Sequence, residues 1–122
     1  MRKVLVIDDE HDVRYVVRIS LGRIGNMIVL EASNGEEGIA LARSEHPDFI
    51  LLDMMMPGMD GAATFRALRE DAETASIPVV FLTAVAKVAE VQCLKDLGAR
   101  GVVLKPFDPI TLASEVTALL DA

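Results

Sequence analysis

The sequence predicts an α/β fold: a flavodoxin-like (βα)5 arrangement in which five parallel strands form one doubly wound sheet with helices on both faces. Three observations predict it. Five short aliphatic runs, at residues 3–7, 27–31, 49–52, 79–82 and 101–104, mostly lack polar alternation. That is the pattern of strands buried on both faces, and hence of a parallel sheet. The segments between them carry apolar residues at helical spacing. The runs end at Ile7, Glu31, Leu52, Leu82 and Leu104, at intervals of 24, 21, 30 and 22 residues, and each interval fits one helix, one strand and two short loops. Right-handed crossovers leave few topologies, of which the strand order 2-1-3-4-5 is the common one at this size.

The elements follow in order. After the first strand, Val13, Val17 and Leu21 share one stripe of the first helix. The second strand leads to an Ala-rich helix over residues 35–45 carrying Ile39 and Leu41, with Ser33 and Asn34 as candidate N-caps. Glu36 and Glu37 stand three residues after them, the capping-box spacing. His46 belongs to the turn into the third strand. The Pro57-Gly58-Met59-Asp60-Gly61 turn, with Asp60 as turn or N-cap residue, opens a helix over 62–69 bearing Phe65 and Leu68. A polar stretch at 71–76 precedes the fourth strand. Val88, Val91, Leu94 and Leu97 form the stripe of the fourth helix, while Val85, Ala86 and Ala89 are expected to leave part of it exposed and apolar. Ile110, Leu112, Val116, Leu119 and Leu120 form the stripe of the last helix.

Composition narrows the function. The chain has 122 residues, 52% of them hydrophobic and 25% charged, which is one domain with enough apolar surface for a core rather than a disordered segment. Aromatics are 4%, so the core is aliphatic. No apolar run approaches the ~18 residues of a membrane span, and the start of the chain lacks the apolar stretch and cleavage site of a secretory signal. The single cysteine, Cys93, forms no internal disulfide, and a reducing cytoplasm is expected. With 19 acidic against 12 basic side chains, a formal charge of −7 and no basic cluster longer than two residues, direct binding to nucleic acid or anionic membrane is disfavoured.

In open α/β sheets, ligands bind past the carboxyl ends of the strands, where strand order reverses. Asp8 and Asp9 follow the first run, Asp53 the third, Thr83 the fourth and Lys105 the fifth. In the order 2-1-3-4-5 the first and third strands are neighbours, so the three aspartates converge. Carboxylates so close repel one another and need a cation to stay ionised. Hard oxygen ligands open to water suit Mg2+. A metal, the Lys105 ammonium and the Thr83 hydroxyl around one carboxylate make a site that stabilises a phosphoryl group, with Asp53 as candidate nucleophile forming an aspartyl-phosphate. Neither His11, in an acidic first helical turn, nor His46 has a partner at metal-ligand spacing.

With these residues the chain resembles the response-regulator receiver domains of bacterial two-component signalling. The Asp8-Asp9 pair, Asp53 in Leu51-Leu52-Asp53-Met54, the Pro57–Gly61 turn, Thr83-Ala84 and Lys105-Pro106-Phe107 match in order over essentially the whole chain, and residues 1–122 are expected to form a single receiver domain. The resemblance implies a regulatory phosphoacceptor rather than an enzyme acting on other molecules. Asp53 would take phosphate from a sensor histidine kinase or phosphotransfer protein. Asp9 would bind Mg2+ directly, Asp8 largely through water, and the Met55 backbone carbonyl would complete the protein ligands. Lys105, aimed by a cis Lys105-Pro106 bond, would pair with the phosphoryl group, and the Thr83 hydroxyl would move toward it. The face made by the fourth helix, fifth strand and fifth helix would control a downstream protein partner, or a phosphorylation-dependent homodimer. Met55 and Val85 flank the pocket at positions that tune water access, and both being apolar are expected to slow hydrolysis. One position departs from the pattern: Val102 stands where many relatives carry Tyr or Phe, and a small β-branched side chain cannot swing as that ring does.

Two other functions are weighed against this one. Aspartate-nucleophile phosphohydrolases usually carry the nucleophile in an Asp-x-Asp arrangement after the first strand, unlike the adjacent acids here. A phosphorylation-independent protein-interaction domain fits Val102 but leaves the acid pocket without a role.

Overall fold

The computed structural model describes residues 1–84 and 88–121. Five strands, β1 Lys3–Ile7, β2 Ile28–Ala32, β3 Phe49–Asp53, β4 Val79–Thr83 and β5 Gly101–Leu104, form one sheet in the order β2-β1-β3-β4-β5. Every neighbouring pair is parallel. The helices are α1 His11–Ile19, α2 Gly35–Glu45, α3 Gly61–Glu70, α4 Val88–Asp96 and α5 Leu112–Asp121.

Alternation along each strand builds two cores. Leu5, Ile7, Ile50, Leu52, Val79 and Phe81 face one way, against Ala42 of α2, Phe65 and Leu68 of α3, and Leu94 of α4. The Phe65 and Phe81 rings meet edge to face at 5.4 Å, a favoured aromatic geometry. Val4, Val6, Phe49, Leu51, Val80, Leu82 and Val103 face the other way, against Val17, Leu21, Leu112 and Val116. The three central strands are almost wholly buried. The expectation of burial on both faces fails at the edges, where Ile28 of β2 and Leu104 of β5 are about half exposed, because an edge strand has a neighbour on one side only.

Local chemistry sets the helix ends. The Asn34 side chain accepts from the Glu37 amide at 2.8 Å, and Glu37 accepts from the Ser33 amide at 3.3 Å, so Asn34 is the cap and Glu37 reaches back. His46 ends α2 in the left-handed conformation, at φ 46°. Asp60 caps α3 through the Ala63 amide at 2.8 Å.

Several expected boundaries move, for physical reasons. Met27 falls outside β2 because its amide bonds the Leu21 carbonyl at 2.9 Å instead of the ladder. The first helix widens into a π-turn at Ser20–Ile24, so Leu21 is buried from that turn. Leu97 is exposed: α4 ends at Asp96, and Gly98 at φ +113° turns the chain away. Ile110 is also exposed, since it precedes α5, with its amide bonded to the Asp108 side chain at 2.9 Å. Val91 and Leu94 are half-buried and Ala89 is exposed. Val85, Ala86 and the Val88 side chain lie outside the described residues.

The turn after β3 depends on two glycines. Gly58 takes φ +75°, which favours glycine. A Cβ on Gly61 would lie 2.4 Å from the Asp53 carbonyl oxygen and 2.7 Å from the Met54 Cα. These are backbone atoms that cannot rotate away, so Gly61→Ala must part α3 from the end of β3. The expected cost is about 1–2 kcal/mol in urea unfolding, and an unchanged midpoint would show that the loop absorbs the methyl group.

Candidate functional site

The sheet delivers the site residues to its carboxyl edge. Asp8 follows β1 directly, and its amide continues the ladder to the Ala32 carbonyl at 3.1 Å. Asp53 and Thr83 prove to be the last residues of β3 and β4 rather than the first beyond them, paired in register with Leu82 and Leu104. Their backbones are therefore held by the sheet, not by loops. Lys105 follows β5, with its amide on the Thr83 carbonyl at 2.8 Å, and the Lys105-Pro106 peptide is cis.

Asp8, Asp9 and Asp53 each offer a carboxylate oxygen, and these oxygens lie within 4.8 Å of one another. Asp8 and Asp53 are buried and Asp9 is exposed. The Lys105 stem crosses the end of β4, placing Nζ 2.8 Å from Asp8 Oδ2 and 3.3 Å from Asp53 Oδ1. Glu10 Oε1 is a third neighbour at 3.6 Å. The Met55 amide donates to Asp53 Oδ1 at 3.2 Å and the Glu10 amide to Asp8 Oδ1 at 2.9 Å. Asp53 Oδ2 is buried with no hydrogen-bond partner among the described residues.

Among the described residues, the electrostatics are those of a pocket short of positive charge. Burial pushes the Asp53 carboxyl up to about 6, aided by the Asp8 charge and opposed by the Met55 amide and Lys105. Burial alone would lower the Lys105 pKa, but its hydrogen bond to Asp8 and the charges of Asp8 and Asp53 outweigh that and raise it. One ammonium thus serves two buried carboxylates. The donor set suits a hard divalent cation: the candidate ligand atoms are oxygens, one buried oxygen lacks a partner among the described residues, and exposed Asp9 leaves room for water ligands.

Asp8, Asp9, Asp53, Thr83 and Lys105 share this edge. Thr83 is buried there. The Met55 side chain is 77% exposed, and Val85, its expected companion, lies outside the described residues. Val102 is half-buried against the core formed with α2 and α3. Sequence reading missed Glu10 beside Lys105 and missed Arg14, which donates to the Asp8 carbonyl at 2.7 Å. The helical spacing of Glu10 and Arg14 was the available signal. A cavity of about 400 Å3 lies at the opposite, amino end of the sheet, between Arg2, Asp48 and Pro78, and none of the site residues lines it.

An acid pocket with a lysine at the carboxyl edge of a 2-1-3-4-5 sheet defines a receiver-type module. The chain belongs to the response regulator receiver domain family, whose model matches residues 4–117. It is similar to the protein PilH of Pseudomonas aeruginosa, at 39% identity over 120 residues and 98% of each chain. It is also similar to the DNA-binding dual master transcriptional regulator RpaA of Synechocystis, at 39% identity, covering 98% of this chain and 49% of that one. The chain spans about half the length of several such curated relatives. Among solved structures, the Vibrio cholerae chemotaxis protein CheY4 superposes with a TM-score of 0.90 at 32% identity, covering 98% of each chain. Response regulator receiver domains interact with histidine kinases or phosphotransfer proteins, so the family sets the class of partner. Among the described residues, no helix is long and apolar enough to cross a membrane.

Proposed function

We propose that the chain is a phosphorylation-dependent signalling switch that accepts a phosphoryl group on Asp53 from a histidine kinase or phosphotransfer protein. A carboxylate oxygen of Asp53 forms the new P–O bond as the donor's P–N bond breaks, giving an acyl phosphate and a free imidazole. The observation that carries this reading is the convergence of the Asp8, Asp9 and Asp53 carboxylates, with Lys105 on Asp8 and Asp53 and one buried Asp53 oxygen unpartnered among the described residues. Asp9, Asp53 and the Met55 carbonyl would hold Mg2+, with Asp8 acting largely through water. The ion, when bound, supplies positive charge opposite the phosphoryl oxygens. Lys105 orients the group from the other side, and the Thr83 hydroxyl engages it once it is attached.

The modification adds roughly −1.5 to −2 charges and several hydrogen-bond acceptors. Moving a two-state surface from 1:99 to 99:1 takes about 5.5 kcal/mol of differential interaction, and a few charge-assisted hydrogen bonds are of that order. The responding surface would be α4, β5 and α5, read by a protein partner or a second copy of the chain. Because Val102 is a small, β-branched side chain half-buried against the core on the α2–α3 side of the sheet, the relay would run through the segment after Thr83 rather than through residue 102.

The test is incubation with Mg2+ and acetyl phosphate followed by intact-mass measurement. The native chain is expected to gain the mass of one phosphate, and Asp53→Asn none. Equal labelling of the variant would place the chemistry elsewhere. The packed Val102 also favours a second reading, a phosphorylation-independent interaction domain, and normal partner binding and signalling by Asp53→Ala would support that one instead.

A further inference from the structure

We propose that Arg14 is a positioning residue that aims the Asp9 carboxylate into the metal site, an inference that rests on the Mg2+ reading above. Asp9 is the exposed member of the acidic trio, and its side chain has no hydrogen bond or ion pair among the described residues. The reach of that carboxylate is therefore set by the Asp9 backbone and by the rotamers that backbone allows. The backbone is set from one side by Arg14, whose Nη1 donates to the Asp8 carbonyl oxygen at 2.7 Å. Because the peptide is planar, holding that carbonyl fixes the plane of the Asp8–Asp9 bond, and with it the amide and Cα of Asp9. Two neighbouring groups of the turn are also tied, the Asp8 amide to the Ala32 carbonyl and the Glu10 amide to the Asp8 side chain. The Arg14 contact adds the restraint on the peptide that leads directly into Asp9.

Arg14 is itself braced. Its Nε lies 3.4 Å from Glu31 Oε1 on β2, and the other Glu31 oxygen takes Arg18 at 3.0 Å. The Arg14 side chain is only 14% exposed. One planar guanidinium therefore spans two directions at once, toward the carbonyl and toward the edge strand. A lysine at the same position offers charge without that fork. Groups that orient a metal ligand typically change affinity by about tenfold or more when lost.

Calorimetric titration of the metal-free protein with Mg2+ tests this, alongside metal-free melting curves. Arg14→Gln and Arg14→Lys are each expected to weaken Mg2+ binding about tenfold while still melting cooperatively. Affinity within about twofold of native in either variant would overturn the proposal, and native affinity in Arg14→Lys would show that charge alone acts. Should Arg14→Gln fail to fold, Glu31→Gln keeps the carbonyl contact but removes the brace. Its expected loss is about threefold, and unchanged affinity would again overturn the proposal. Asp9→Asn separates the two readings. If it binds Mg2+ as the native chain does, the metal site itself is wrong and the Arg14 inference falls with it. If it alone loses binding, only the Arg14 inference fails.

Discussion

Replacing Lys105 with methionine is expected to cost the metal-free protein about 3 kcal/mol at neutral pH, because breaking a buried ion pair leaves an uncompensated charge. Lys105 Nζ lies 2.8 Å from Asp8 and 3.3 Å from Asp53. Asp8 is fully buried and the Lys105 side chain only 15% exposed. Methionine keeps most of the stem's volume, so the loss reports the ammonium rather than packing. Part of the penalty is relieved as Asp53 takes up a proton, which keeps the figure at the lower end of the range for broken buried pairs. Mg2+ should restore much of the stability, since a cation that binds only the folded state stabilises it by mass action. Urea unfolding in chelator and in excess Mg2+ measures both effects. A variant as stable as the native chain in chelator would mean that water already neutralises the pocket.

Asp53→Asn moves the other way. In the absence of metal it is expected to be more stable than the native chain at neutral pH, by about 3 kcal/mol. The Asp53 carboxyl titrates at about 6 in the fold against an ordinary 3.8, so the folded protein binds this proton more tightly than the unfolded one. The penalty for ionising the buried group is absent below 3.8, grows through the window between the two values, and is complete above about 6. Metal-free stability therefore falls as pH rises through that window, and the asparagine variant escapes the fall. Asparagine is uncharged at every pH, so its advantage should vanish in acid. In Mg2+ the order should reverse, because the native carboxylate gains the cation and the amide gains little. Thermal unfolding across pH, with and without Mg2+, checks both parts. A variant no more stable than native at neutral pH in chelator would sink the prediction. Asp53, the proposed phosphoacceptor, would thus be held in an environment that is unfavourable until a cation arrives, which would couple stability to readiness for phosphorylation.

Much of this molecule is legible from its sequence because the governing interactions are short-range. Helical and strand periodicities act over a few residues, so all five strands could be read to within a residue at either end. The Asn34 and Asp60 caps each bond an amide three residues on. Asp8, Asp9, Asp53, Thr83 and Lys105 were legible as candidates because a parallel sheet sends its strand ends to one rim. What only the tertiary structure decided are contacts between distant residues. The Lys105–Asp8 hydrogen bond joins positions 97 apart in the chain, and its choice of Asp8 over Asp53 as the closer partner depends on side-chain reach across β4. The Ser20 hydroxyl donating to the Pro109 carbonyl and the Arg14–Glu31 brace follow the same rule. Periodicity says which face a residue presents; which neighbour meets that face is set by packing between elements, and no local pattern carries that information.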